Sequence, residues 1–197
     1  MRRILFILGF VIASVCPSMA QQYDTMDLLV GGKLGAGMSN LTSVDADMQV
    51  FPYAGIYGEL YVGKNMSMSL EVAYAHKGAN NVNNVADYNI HYINTSYLFK
   101  YFPVKNLGIY TGLSLGRQIG ARMKAQGNSV SISDDVKRGD FSIPVGLEYT
   151  FGRNWTVDAR WHWSPSKIAK SDAQKTILGN AHNQLISLTV GYKFLVF

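Results

Sequence analysis

Hydrophobic and polar residues alternate one by one along the last 14 residues of the chain, from Gln184 to Phe197. A period of two predicts a β-strand with one apolar and one polar face. In a soluble sandwich the apolar face would pack inward, whereas in a small membrane barrel it would face lipid and the polar face would line the lumen. The apolar positions are Ile186, Leu188, Val190, Tyr192 and Phe194.

Seven earlier segments show the same alternation, so the sequence predicts eight strands of about 9–12 residues. The eight segments are 28–38, 53–62, 66–75, 90–102, 107–116, 140–151, 155–163 and the C-terminal strand. Short turns at 63–65, 103–106 and 152–154 alternate with long loops at 39–52, 76–89, 117–139 and 164–183. This even, short–long pattern predicts an all-β fold, a closed eight-stranded antiparallel up-and-down transmembrane β-barrel.

The composition agrees with a membrane barrel. Hydrophobic residues make up 48% of the chain and charged residues 16%, against about 25% charged in a typical soluble domain. Aromatic residues cluster toward both ends of the predicted strands, which is typical of the two membrane interfaces. We expect one girdle from Tyr101, Phe102, Phe151, Trp155 and Phe194, and another from Tyr53, Tyr74, Tyr92, Phe141, Trp161 and Trp163.

The N-terminus predicts a secretory signal peptide. Two arginines precede an apolar run over residues 4–15, and small residues stand at Ser18 and Ala20, so we expect cleavage after Ala20. The run is too short for a transmembrane helix, and a lipoprotein site at Cys16 would follow an unfavourable Val15. Cleavage would lower the net charge from +5 to +3, remove the only cysteine and leave a barrel domain over residues 21–197. No other stretch has 18 consecutive apolar residues, so membrane insertion would require a barrel.

The polar faces of the predicted strands carry four acidic and four basic side chains. Charges in a closed lumen must pair, because an isolated buried charge is costly. We therefore predict a charge network that fills the lumen, while the sequence leaves its pairing open apart from a guess that Asp158 meets Arg160. The eight residues are Lys33, Glu59, Glu71, Lys100, Glu148, Asp158, Arg160 and Lys193.

The ending Val190-Gly-Tyr-Lys-Phe194 resembles the signal by which outer-membrane barrels are recognised for insertion. We assign the signal to Val190, Tyr192 and Phe194, because choosing Phe197 would turn Lys193 toward lipid. With its strand pattern, residues 21–197 resemble the small outer-membrane barrels of the OmpX and OmpA-transmembrane-domain type, in the outer-membrane β-barrel (porin) superfamily. The resemblance implies integration into the outer membrane of a Gram-negative bacterium by the barrel assembly machinery.

Two motifs suggest other chemistry. The glycine-rich stretch 31–37 lies within a strand, whereas phosphate-binding loops join a strand to a helix. His162-Trp-Ser164 is similar to the His-x-Ser pair of outer-membrane lipid A deacylases, and a serine activated by histidine could transfer an acyl group. Against this, His162 has lumen parity and Pro165 follows the motif. The four histidines lack metal-ligand spacing, and we expect neither a metal nor another cofactor.

Basic residues near the predicted loops suggest contact with lipopolysaccharide phosphates, although solvated loops would look the same. They are Arg117, Arg122, Lys124, Lys137, Arg138, Lys167, Lys170 and Lys175.

The pattern favours a non-enzymatic, monomeric barrel with a structural or surface-interaction role. Its expected partners are outer-membrane lipids and an extracellular ligand of unidentified kind, with no nucleic acid. The first alternative is a narrow pore or carrier for small or hydrophobic ligands, as in OmpW-like barrels. Lipid A deacylation is the second, and a soluble lipocalin-like binder is the last.

Overall fold

A computed structural model describes residues 23–41, 48–82, 86–125, 128–133, 138–167 and 182–196. The predicted signal peptide at 1–20 and Phe197 lie outside these residues, so the cleavage site stays a prediction. No helix among the described residues is long and apolar enough to cross a membrane.

Within the described residues, nine strands form one antiparallel sheet, and eight of them close into a barrel. Each barrel strand pairs with its neighbours along the chain, and β1 pairs with β9 to close the ring. The short β6 has β5 as its one neighbour in the part of the chain that the structure describes. The strands are β1 (Leu28–Leu41), β2 (Gln49–Gly63), β3 (Met66–Val82), β4 (Ala86–Val104), β5 (Leu107–Ala125), β6 (Asn128–Ser131), β7 (Gly139–Phe151), β8 (Trp155–Lys167) and β9 (His182–Leu195).

The predicted faces are confirmed along the central part of the barrel wall. On β5, Leu113 is 51% exposed while the next residue, Ser114, is fully buried. Apolar residues outside and polar residues inside are the reverse of the arrangement in a soluble protein, and they are expected where the outer surface faces hydrocarbon. The three predicted short turns are present, and Gly152 adopts a positive φ of 64° in the last of them, where glycine has no steric penalty.

The predicted loop at 76–89 is wrong. β3 continues to Val82 and β4 begins at Ala86, so much of this segment is a two-stranded extension in which His76 pairs with His91. The asparagine- and glycine-rich composition suggested a loop. Antiparallel strands satisfy each other's backbone groups, however, and need no apolar face where they rise beyond the membrane.

The limits predicted for the other three loops are also wrong, and at the last of them β8 continues to Lys167 and β9 begins at His182. β5 runs to Ala125, and part of the predicted loop at 117–139 forms β6 against it. β2 begins at Gln49 and includes Pro52. Pro52 pairs with Ala36 of β1, whereas the pairing of β2 with β3 extends only to Ala54, so Pro52 lies beyond the part of β2 that is paired on both sides.

Three aromatic residues predicted for the girdles face inward instead. Tyr53 and Tyr92 are each 1% exposed and Phe102 is 5% exposed. All three occupy the alternate positions of their strands that face the lumen. Their orientation follows this alternation, even though they lie near a strand end. The aromatic residues Tyr101, Phe151, Trp155, Trp161, Trp163 and Phe194 are exposed on the outer wall.

Leu113→Arg tests the lipid-facing assignment. We expect it to lower the free energy of unfolding by roughly 2–4 kcal/mol, because arginine near the bilayer midplane must leave water. Urea unfolding of the barrel refolded into phospholipid vesicles measures this. Ile109→Arg is the matched control, on the same face but near the short-turn end, and should cost only about 0–1 kcal/mol. Equal costs at the two positions would contradict the assignment.

Candidate functional site

The lumen brings together all eight charged residues predicted to line it. Strand parity turns each of them inward, and none is more than 5% exposed. They fall into two groups, each with two acids and two bases. The central cluster is Lys33, Glu71, Asp158 and Arg160, and the turn-side cluster is Glu59, Lys100, Glu148 and Lys193.

Glu71 is the shared acceptor of the central cluster. Both terminal nitrogens of Arg160 donate to it, with Nη1–Oε1 and Nη2–Oε2 distances of 2.9 Å. Lys33 Nζ lies 2.6 Å from Glu71 Oε2. Asp158 Oδ1 is 3.6 Å from Arg160 Nε and 4.0 Å from Lys33 Nζ. The bidentate pair is the strongest geometry available to these groups, and it joins β3 to β8 across the lumen.

The turn-side cluster alternates acids and bases. Lys100 Nζ lies 2.7 Å from Glu148 Oε2 and 3.4 Å from Glu59 Oε1. Lys193 Nζ lies 3.3 Å from both Glu59 Oε2 and Glu148 Oε1. Each charge therefore has two opposite neighbours, which offsets the cost of removing it from water. The guess from sequence that Asp158 meets Arg160 identified only a secondary contact of the network.

Two tyrosines complete the central cluster. Tyr110 Oη donates to Asp158 Oδ2 at 2.5 Å and accepts from Arg160 Nε at 2.7 Å. Tyr53 Oη donates to Glu71 Oε1 at 2.8 Å. Sequence reasoning assigned Tyr53 to a girdle and missed this role, although its position two residues before lumen-facing Gly55 was the available signal.

Tyr57 lies between the two clusters. Its ring centre is 5.3 Å from Lys33 Nζ and 5.5 Å from Lys100 Nζ, within cation–π range. The ring therefore connects a base of the central cluster to a base of the turn-side cluster. With Tyr110 of β5, the two clusters draw side chains from every one of the eight barrel strands.

Large lumen rings stand opposite glycines on neighbouring strands. Tyr57 pairs with Gly31, and a Cβ at Gly31 would lie 2.8 Å from Tyr57 Cζ. Tyr110 likewise pairs with Gly146, where a Cβ would collide with the phenol. The glycine-rich stretch of β1 thus makes room for aromatic rings. A ring that packs over a glycine also stabilises the strand at that position.

Apolar side chains occupy both ends of the lumen. Leu29, Tyr61 and Phe102 cluster toward the short turns, and Tyr23 packs against them from the N-terminal segment. We call these four residues the turn-side plug. Toward the long loops lies the outer plug, which consists of Phe51, Tyr53, Ala73, Ala75 and Leu185.

His162 and Ser164 lie in the lumen wall of β8. His162 is fully buried with Nδ1 3.4 Å from Ser142 Oγ, and Ser164 Oγ donates to Asp140 Oδ2 at 3.3 Å. Ser164 is 1% exposed. The motif therefore takes part in a buried polar network and does not face the lipid acyl chains that deacylation would require.

The residues of the predicted assembly signal lie on the outer wall. Val190, Tyr192 and Phe194 are each 45–51% exposed. Tyr192 makes an edge contact with Trp155, with ring centres 5.1 Å apart, and Phe194 pairs with Val30 of β1. The exposure is compatible with recognition during insertion, and the recognition itself stays a prediction.

Three of the eight predicted basic contact residues have described side chains. Arg117, Arg122 and Arg138 are exposed at the long-loop end. Gln118 N donates to Arg138 O at 2.8 Å, which places Arg138 beside the strand that carries Arg117. The side chains of Lys124, Lys137, Lys167, Lys170 and Lys175 lie outside the described residues.

A closed eight-stranded barrel with an apolar outer wall and a charged inner wall defines an integral outer-membrane protein. The sequence model described as outer membrane protein beta-barrel domain matches residues 8–194, and the chain belongs to this family. A search of curated protein sequences gave no match.

Solved structures of similar shape include two bacterial surface proteins. Ail, the attachment invasion locus protein of Yersinia pestis, in complex with the heparin analogue sucrose octasulfate, has 16% identity and a TM-score of 0.55, over 86% of this chain and 100% of that one. Neisserial surface protein A has 12% identity and a TM-score of 0.53, over 85% of this chain and 97% of that one. At these identities the similarity concerns the fold.

The central cluster predicts an asymmetry between single and double substitutions. Glu71→Gln should lower the free energy of unfolding by about 3–5 kcal/mol, because it strands two buried cations. Glu71→Gln combined with Arg160→Gln should recover part of this loss, since the double variant restores a neutral lumen. Denaturant unfolding of refolded barrels gives the comparison. Ser114→Ala, on the same lumen wall but outside both clusters, is the control, and additive losses in the double variant would contradict the pairing.

Proposed function

We propose that this protein is a non-enzymatic, non-conducting barrel that anchors an extracellular interaction surface in the outer membrane. The observation that carries the proposal is the filling of the lumen by two neutral charge clusters between two apolar plugs. An eight-stranded barrel has an interior just wide enough for side chains. In this chain those side chains are large and bonded to one another across the lumen.

The charge network opposes the passage of ions. A cation entering the lumen would have to displace Lys33, Lys100, Arg160 or Lys193 from its carboxylate partners, and an anion would have to displace the carboxylates. Either exchange breaks contacts of 2.6–3.3 Å in a region almost without solvent exposure. Charge-assisted hydrogen bonds of this kind are costly to leave unmade.

Water molecules inside the lumen would not by themselves form a path for ions. Several buried polar atoms of the lumen have no protein hydrogen-bond partner within the described part of the chain, among them both amide atoms of Asn94 and the hydroxyls of Ser187 and Thr189. Buried groups of this type are commonly satisfied by internal water. The apolar plugs would separate such water from bulk solvent at both ends, so hydration supports a closed lumen more than a continuous pore.

Planar-bilayer recordings test the closed lumen. We expect the wild-type barrel to give no stable single-channel steps under conditions in which a general porin conducts. The double variant Glu71→Ala, Arg160→Ala keeps the lumen neutral but removes the largest central pair, and should show brief openings. Large, stable currents from the wild type would overturn the proposal and favour the narrow-pore alternative.

The second part of the proposal is contact with lipopolysaccharide phosphates at the long-loop end. Arg117 continues the outward row of Leu113 and Leu115, which are 51% and 56% exposed, and an exposed cation at this end of the strand supports contact with headgroup phosphates. Arg138 adds a second exposed cation beside it. The sulfated ligand of the Ail complex supports the idea that a barrel of this shape can present such a surface.

Binding of purified lipopolysaccharide to the barrel tests this contact. The double variant Arg117→Gln, Arg138→Gln should bind less purified lipopolysaccharide than the wild type when barrels in lipid nanodiscs are titrated, because it loses two charge-assisted contacts. Lys64→Gln combined with Lys105→Gln removes the same charge at the opposite end and should have no effect. Equal losses in both double variants would mean that only net charge matters.

A further inference from the structure

A polar cavity of about 450 Å³ opens at the long-loop end, outside both lumen clusters. Its wall is formed by β3, β4, β5 and the short β6, together with Ser133, which follows β6. The side chains that matter chemically are Tyr74, His91, Arg122, Ser131 and Ser133, and Gly120 forms part of its floor. None of these residues belongs to the lumen network.

An irregularity of strand pairing creates the cavity. His91 pairs with Gly120, but the next residue, Tyr92, pairs with Gln118, so Ile119 is an extra residue in β5. Such a bulge bends its strand and re-aims the side chains beyond it. A Cβ at Gly120 would have only His91 Cδ2 nearby, at 3.9 Å, so this part of the floor is open.

β6 brings two hydroxyl groups to the same place. Ser131 pairs with Arg122 across the β5–β6 ladder. Ser133 is fixed by Ala121, whose backbone N donates to Ser133 Oγ at 3.1 Å, and Ser131 Oγ lies 3.4 Å from Ser133 Oγ. The hydroxyls are thus held close together on one wall beside the guanidinium.

His91 is oriented by its neighbours. Tyr74 Oη lies 2.6 Å from His91 Nδ1, and the ring of His76 stacks on His91 with centres 4.6 Å apart. If the phenol donates to Nδ1, the neutral imidazole carries its proton on Nε2. His91 Cδ2, which is bonded to Nε2, lies 3.9 Å from the Cβ position at Gly120, so in this tautomer Nε2–H is the remaining donor of the ring.

The cavity is electrostatically suited to an anion. Arg122 is exposed and has no acidic partner among the described residues. The described lining contains no aspartate or glutamate. Asp87 of β4 pairs in register with Lys124, two residues along the strand from the pair of Asn89 with Arg122. The planar guanidinium of Arg122, an imidazole N–H and the Ser131 hydroxyl together form a set of donors that matches the oxygens of a phosphate group, while the Ser133 hydroxyl donates to Ala121 O at 3.4 Å.

We propose that this cavity binds the phosphate monoester group of a phosphorylated sugar. Its volume lies in the range of small-molecule sites, which is roughly 300–1,000 Å³, and exceeds what a bare phosphate would fill. Tyr74 and His91 share the outward parity of Val72 and Ile93, so the same phosphate chemistry can be presented from the solvent or by a lipopolysaccharide headgroup. The site is a specific form of the proposed surface-interaction role and rests on that role. It does not depend on whether the lumen conducts ions.

Binding is tested with glucose 6-phosphate and the mature barrel in detergent micelles free of lipopolysaccharide. We expect saturable changes in the His91 imidazole NMR signals with the sugar phosphate, and none with glucose. Arg122→Gln should weaken binding at least about tenfold, as expected for losing a charge-assisted hydrogen bond, and Arg122→Lys should weaken it less. Lys64→Gln, which removes one positive charge at the short-turn end, should leave the affinity within about twofold.

A steric variant provides an independent check. Gly120→Val should fill the open floor and abolish binding while the barrel still folds, because the Cβ position is unobstructed. Nanodiscs with and without lipopolysaccharide identify the source of the phosphate. Competition between lipopolysaccharide and glucose 6-phosphate assigns the site to a headgroup, and no competition assigns it to a soluble ligand. His91 signals unmoved by either phosphate, or equal weakening by Arg122→Gln and Lys64→Gln, would overturn the proposal.

Discussion

Closure of the sheet between β1 and β9 is the constraint on which the rest of the structure depends. Lipid offers no hydrogen bonds, so every backbone N–H and C=O inside the membrane must find a partner in the chain. The pairing from Leu29 with Leu195 to Leu41 with Asn183 removes the free edges that β1 and β9 would otherwise expose to lipid. Once eight strands are joined in this way, the outer wall must be apolar and the inner wall encloses a narrow space.

The narrow space explains the charge network. Lysine and glutamate side chains are long enough to meet across the lumen, and the tyrosines fill the gaps between them while donating hydrogen bonds. An uncompensated buried charge is costly, and here the two clusters are neutral separately. Each cluster balances its own charges, and the Tyr57 ring links the two through its contacts with Lys33 and Lys100.

The period-two pattern was sufficient to predict the barrel, the parity of its walls and the eight lumen charges, because lipid outside and charge pairing inside impose opposite requirements on adjacent residues. The pattern was insufficient for the parts of the strands beyond the membrane, where both faces of a strand contact water. That is why the β3–β4 extension and β6 were predicted as loops. The pairing of Glu71 with Arg160 was also out of reach, since the two residues come together through barrel closure and not through any sequence spacing.

The glycine–aromatic pairs limit how this barrel can diverge. A Cβ at Gly31 would lie 2.8 Å from Tyr57 Cζ and 2.6 Å from the backbone O of Tyr192. A Cβ at Gly146 would collide with the Tyr110 phenol and would lie 2.7 Å from the backbone O of Ala159. A smaller residue in place of either ring would therefore not free its glycine, because the backbone of a neighbouring strand also occupies the space. In an evolving lineage we expect both glycines to stay fixed, whatever happens to the rings opposite them.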